Sequence, residues 1–135
     1  MEEIVEQKVK NFWIIDDDRI FGLLSKRVIE ISGIAENIHI LSDGSSALDE
    51  IQLLLAQSER VPEVIFLDIN LPDMSGFEFL AQLEKLPGSE RIKVYIFSAS
   101  ITPKDRKEAL HYRQVLSIVE KPLTTEKLKV IASQL

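Results

Sequence analysis

Five short apolar runs alternate with five segments of helical period, and that alternation fixes the fold class before any single residue is weighed. The runs occupy residues 11–16, 37–41, 62–68, 92–98 and 115–120. After the first, Ile20, Leu23, Leu24, Val28 and Ile31 recur at helical spacing, and Gly33 lies just past the end. Leu48, Ile51, Leu54 and Leu55 mark a second helix, preceded by Ser42-Asp43-Gly44-Ser45, whose serines are placed to cap it. Phe79, Leu80, Leu83 and Leu86 mark a third, stopped by Pro87-Gly88. Thr102-Pro103 opens a fourth over residues 103–113, with the threonine as cap and proline at the first helical position. That helix is mostly polar, so loose docking is expected. Leu128, Ile131, Ala132 and Leu135 mark the last. Strict alternation of this kind calls for a parallel sheet with helices on both faces. The expected fold is α/β, a flavodoxin-like (βα)5 doubly wound sheet with strand order 2-1-3-4-5. Residues 1–9 read as a charged N-terminal extension and residues 10–135 as one domain.

Composition narrows the function classes. The 135 residues are enough for one full core, and 45% of them are hydrophobic. The opening MEEIVEQKVK lacks the apolar segment of a signal peptide, and no run reaches the length of a membrane span. There is no cysteine, which excludes disulfides, thiolate metal sites and a cysteine nucleophile, and agrees with a cytoplasmic setting. A net charge of −6 argues against direct binding to nucleic acid.

The chemistry-bearing residues gather at the carboxyl ends of the strands, where open α/β sheets keep their ligands. Residues 64–76 read VIFLDINLPDMSG: a run suited to a strand buried on both faces stops at Asp68, and a loop follows. The first run ends in Asp16, Asp17 and Asp18, the fourth in Ser98, and the fifth is followed by Lys121. In a 2-1-3-4-5 order the first and third strands are neighbours, so their acids share one pocket. Like-charged carboxylates this close cannot all stay ionised unpaired. A hard divalent cation held by oxygens resolves the conflict, and magnesium in such a site leaves room for a phosphate. A serine hydroxyl and a lysine ammonium across the pocket are partners for phosphoryl oxygens. Singly, each feature has a plainer explanation, since an acid run before a helix often only caps it.

In combination these residues resemble the receiver domain of two-component response regulators. The matching pieces are IIDD at 14–17, FLDINLPDMSG at 66–76, FSAS at 97–100 and EKP at 120–122, and the resemblance runs from about residue 10 to the end. It implies that Asp68 is the phosphoacceptor, taking a phosphoryl group from a sensor histidine kinase or a histidine phosphotransfer protein. It implies a magnesium ion held directly by Asp17, by Asp68 and by the backbone carbonyl of Asn70, with Asp16 helping through water or as a second acid. Lys121 is then the phosphoryl partner and Ser98 the switch hydroxyl. Pro122 matches the family's cis-proline. Asn70 and Ser100 flank the path of the hydrolytic water and tune the phosphoryl lifetime. By the same resemblance the protein is a phosphoacceptor with intrinsic autophosphorylation and autodephosphorylation, not an enzyme in the ordinary sense.

One position departs from the pattern. Where the family often carries Tyr or Phe, three residues before the lysine, this chain has Ile118. Readout is therefore expected from the loop after Ser98 and the fourth helix. The output face would be formed by the fourth helix, fifth strand and last helix, through which a homodimer could also form. Asp18 is expected to cap a helix, and His39 and His111 to be surface residues. A haloacid-dehalogenase-type phosphatase is a rival, with Asp16 as nucleophile and Asp18 as general acid. It leaves Asp68 and Asn70 without a task and lacks the later acidic pair that such enzymes need. A non-phosphorylated pseudo-receiver acting as a binding module is the other rival, opposed by the intact acid, serine and lysine set. Without an output domain in the sequence, a single-domain regulator is expected, its target unnamed.

Overall fold

The computed structural model describes residues 7–135. The elements run β1 (Val9–Ile15), α1 (Arg19–Ser32), β2 (Ala35–Leu41), α2 (Gly44–Gln57), β3 (Val64–Asp68) and α3 (Gly76–Glu84). A 3-10 turn at Ser89–Arg91 leads into β4 (Lys93–Ser98), α4 (Pro103–Ala109), β5 (Val115–Glu120) and α5 (Thr125–Ser133). The five strands pair in parallel in the order β2-β1-β3-β4-β5. This is the flavodoxin-like arrangement that the alternation of runs calls for.

Alternate residues of the central strands feed two cores. Trp13, Ile15, Ile65, Leu67, Val94 and Ile96 face α2 and α3. Phe12, Ile14, Phe66, Tyr95 and Phe97 face α1 and α5. Every residue of β3 is buried, because β3 lies between β1 and β4 and has a helical layer on each side. Its apolar run therefore needs no alternation, and its terminal carboxylate is carried into a largely dry position.

Several boundaries differ from the sequence expectation. Residues 1–6 of the expected extension lie outside the described residues, but Val9 is already a buried strand residue, and Lys8 and Val9 both donate to the carbonyl of Ile34. The cap of α2 is Asp43, whose carboxylate accepts the Ser46 N–H at 2.8 Å, rather than a serine. Helix α4 ends at Ala109, its one buried residue, after which Tyr112 stacks on Phe77 at 6.1 Å between centroids.

The larger correction concerns α1. Ile20, Leu23, Leu24 and Ile31 do not face the sheet; they are 71%, 52%, 61% and 53% exposed. The inward residues are Phe21, Gly22, Ser25 and Ile29, with Val28 partly buried. Small residues let the helix approach the sheet: a Cβ on Gly22 would lie 3.3 Å from the Ile40 side chain. Periodicity counts large apolar side chains, so it picked the richer stripe, which is the outer one. At the far end Gly33 closes α1 at φ 73°, and its N–H reaches back to Ile29 and Glu30.

Candidate functional site

Register sets the site. Ile15 of β1 pairs with Leu67 of β3, so the next residues, Asp16 and Asp68, emerge side by side. Both are buried, whereas Asp17 is exposed. Carboxylate oxygens of Asp16, Asp17 and Asp68 all lie within 4.8 Å of one another. Lys121 comes in from the end of β5, where its backbone N–H is tied to the Ser98 carbonyl at 2.9 Å. Its Nζ lies 2.7 Å from Asp16 Oδ2 and 3.5 Å from Asp68 Oδ1. The shorter contact is an ion pair without hydrogen-bond alignment, so the buried Asp16 Oδ2 keeps acceptor capacity. Asp16 Oδ1 accepts the Asp18 N–H at 2.8 Å. Against the same ammonium lies the ring of Phe21, 4.5 Å from Nζ to centroid.

The electrostatics are those of an under-compensated acid cluster. Burial, with the charge of Asp16 adding to it, pushes Asp68 up to about 6. Burial also raises Asp16, against the opposing pull of Lys121. For Lys121, burial alone would lower the pKa, but the two carboxylates outweigh it and raise it. One ammonium thus lies against two buried acids, with exposed Asp17 beside them. The donor set is all oxygen and net negative, which is what a hard divalent cation requires.

The family model of the response regulator receiver domain matches residues 12–133. The chain belongs to that family. This receiver domain is 30% identical over 116 residues to the probable methanogenesis regulatory protein FilR2 of Methanothrix harundinacea (strain 6Ac), covering 86% of this chain and 74% of that one. Among solved structures it resembles a two component response regulator from Cytophaga hutchinsonii, with a TM-score of 0.85 and 28% identity over 94% of this chain and 96% of that one. The Mn(2+)-bound form of the response regulator Rcp1 shares the fold, with a TM-score of 0.73 and 24% identity over 93% and 90% of the two chains. Receiver domains are signalling modules rather than ordinary enzymes. The haloacid-dehalogenase reading falls with the family assignment, and Asp18, its general acid, is spent capping α1 by accepting the Phe21 N–H at 3.1 Å.

The remaining residues of the receiver motif surround the acid cluster at different depths. Asn70 is exposed, and its backbone amide pulls the Asp68 pKa down against burial. Ser98 is buried, and its hydroxyl is turned to the loop: it donates to the Ser100 carbonyl at 2.9 Å and accepts the Ser100 N–H at 3.3 Å. Ser100 itself is exposed. The Lys121–Pro122 peptide bond is cis. Ile118 is partly buried and packs against the core on the α2 and α3 side. His39 is a surface residue facing Glu50 at 3.3 Å, and His111 is also exposed.

The loop after Asp68 is fixed by contacts that motif reading does not specify. Asp73 accepts the N–H groups of Gly44 and Ser45, which hold its pKa down and join this loop to the start of α2. Gly76 donates to the Ile69 carbonyl at 2.7 Å, and a Cβ there would lie 2.7 Å from the Asp68 carbonyl. Only glycine lets α3 start so close to the end of β3. The outward orientation of the α1 stripe and the place of the Phe21 ring carry no signal in the sequence. Both sit in a helix whose period was legible and whose orientation was not.

Among the described residues no helix is long and apolar enough to cross a membrane.

Proposed function

We propose that this receiver domain accepts a phosphoryl group on Asp68 from a histidine-phosphorylated partner, a sensor kinase or a phosphotransfer protein. The observation that carries the reading is the meeting of Asp16, Asp17 and Asp68 within 4.8 Å, with Lys121 Nζ 3.5 Å from Asp68. In the reaction an Asp68 carboxylate oxygen attacks phosphorus and the phosphorus–nitrogen bond breaks. The electron pair of that bond stays on the imidazole, and an acyl phosphate remains on Asp68. Two anions must approach, so catalysis is largely charge compensation.

A divalent cation such as magnesium, when bound, supplies positive charge for the phosphoryl oxygens and favours ionised Asp68. Asp17, Asp68 and the backbone carbonyl of Asn70 would hold it directly, and Asp16 through water. Lys121 then shifts its ammonium from the acids to the phosphoryl oxygens. Ser98 leaves the Ser100 backbone to donate to them. Asn70 and Ser100, exposed at the rim, govern how readily water hydrolyses the acyl phosphate.

The outer stripe of α1 supports a place for the donor. Ile20, Leu23, Leu24 and Ile31 form an exposed apolar strip beginning beside the acid pocket. A helix carrying the phosphohistidine can pack there and bring its imidazole over Asp68. On the other flank Leu110, Leu116 and Val130 are exposed on or beside α4, β5 and α5. This supports the α4-β5-α5 face as the output surface, with homodimerisation as one form of output. A cytoplasmic location accords with a phosphohistidine donor. The test is incubation with a small acyl phosphate and magnesium, in which the parent gains one phosphoryl group and Asp68→Asn gains none. Equal modification of the two would move the acceptor elsewhere.

A further inference from the structure

We infer that Phe21 is a positioning residue for Lys121, its ring face holding the ammonium in the acid pocket by cation–π attraction. The inference deepens the proposed function, because it rests on Lys121 being the phosphoryl partner. Nζ lies 4.5 Å from the ring centroid, inside the ~6 Å reach of the interaction. The ring is 7% exposed, so little water competes for the cation. It cannot swing aside, because Phe97 backs it at 5.4 Å between centroids and Phe97 in turn meets Phe66 at 4.4 Å. Phe97 precedes Ser98 and Phe66 stands two residues before Asp68, so this aromatic column shares its strands with the site.

The ammonium has three N–H groups and no acceptor. Asp16 and Asp68 are its anionic partners. The ring gives it a further anchor that takes no proton and does not compete for phosphoryl oxygens. An aliphatic residue at position 21 would fill the same space without offering a negative face. Lys121 would then be free to solvate outward, away from the acceptor. The contact also joins the first turn of α1 directly to the residue that meets the phosphoryl group.

The test grades the ring's electrostatics while keeping its shape. Position 21 is occupied in turn by phenylalanine, 4-fluorophenylalanine and 3,4,5-trifluorophenylalanine, with Phe21→Leu as a fourth variant. Metal-free protein is reductively methylated at neutral pH, and the rate at Lys121 is read by peptide mass spectrometry against exposed Lys104 as internal reference. The expected result is a stepwise rise in Lys121 reactivity with fluorination, reaching about fivefold for the trifluorinated ring and for Phe21→Leu. Rates of phosphorylation by a small acyl phosphate, at saturating magnesium, should fall in the same order. Lys121 reactivity that ignores fluorination, even if Phe21→Leu raises it, would overturn the inference and reduce Phe21 to packing. The labelling needs neither phosphoryl donor nor metal, so its outcome stands apart from whether Asp68 is the acceptor.

Discussion

Lys121 is paired with Asp16 at 2.7 Å, closer than its 3.5 Å separation from Asp68. In this arrangement the lysine serves chiefly to neutralise a buried acid. Replacing it leaves Asp16 uncompensated, the costly way to break a buried pair. Lys121→Met should lower the stability of the metal-free protein by about 2–4 kcal/mol in urea unfolding. Added magnesium should restore part of that loss. Unchanged stability would mean that Asp16 is already protonated at neutral pH.

A pH dependence follows from Asp68. Its pKa is raised to about 6 in the folded protein against 3.8 as the ordinary value. Between those values the folded state binds more protons than the unfolded state, so stability falls as pH rises through that window and levels off above it. Metal-free protein should gain about 1 kcal/mol on going from pH 7 to pH 5. Asp68→Asn should reduce that gain to what Asp16, also raised by burial, contributes. The tight hydrogen bonding of Asp73 acts below this window, because its pKa is lowered.

The strand ends were legible and the helix orientation was not, for one physical reason. A parallel strand between two helical layers is apolar throughout, so residues 64–67 announce burial without any choice of face. The polar residue that ends such a run is placed by the topology alone. Asp16, Asp68, Ser98 and Lys121 could therefore be found in order along the chain. Helix α1 offered two apolar sectors, and its inner one contains Gly22 and Ser25. Size and hydrophobicity favoured the outer stripe, which faces solvent for reasons a single chain cannot express. The contact of Phe21 with Lys121 spans most of the sequence and left no local signal.

The outer stripe of α1 makes a separable prediction. Leu24→Asp should slow phosphoryl transfer from the cognate histidine-bearing partner by about tenfold or more, as loss of an apolar anchor does. Its rate with a small acyl phosphate should be unchanged, because Leu24 is 61% exposed. Equal rates with the protein donor would remove α1 from the docking surface.

Ser98 is engaged with Ser100 through both its oxygen and its hydroxyl proton, so the loop has a defined resting state. Ser98→Ala should accept phosphate within about fivefold of the parent rate, since the hydroxyl only exchanges its bond to the Ser100 carbonyl for one to the phosphoryl group, a net difference of ~1 kcal/mol. Its hydrogen-exchange response to a beryllofluoride phosphoryl mimic should be lost across residues 98–121. With Ile118 in place of an aromatic, that response should fall in the loop and α4 rather than on a turning ring. A full response in Ser98→Ala, or one confined to the first two helices, would put the switch elsewhere.

The central claim is that Asp68 carries the phosphoryl group. Protein treated with a small acyl phosphate and magnesium is reduced with borohydride, which converts an aspartyl phosphate to homoserine, and is then mapped by peptide mass spectrometry. The account predicts homoserine at position 68, absent when magnesium is chelated before phosphorylation. Homoserine at position 16 or 17, or an unmodified peptide 64–76 beside a phosphorylated protein, would contradict it.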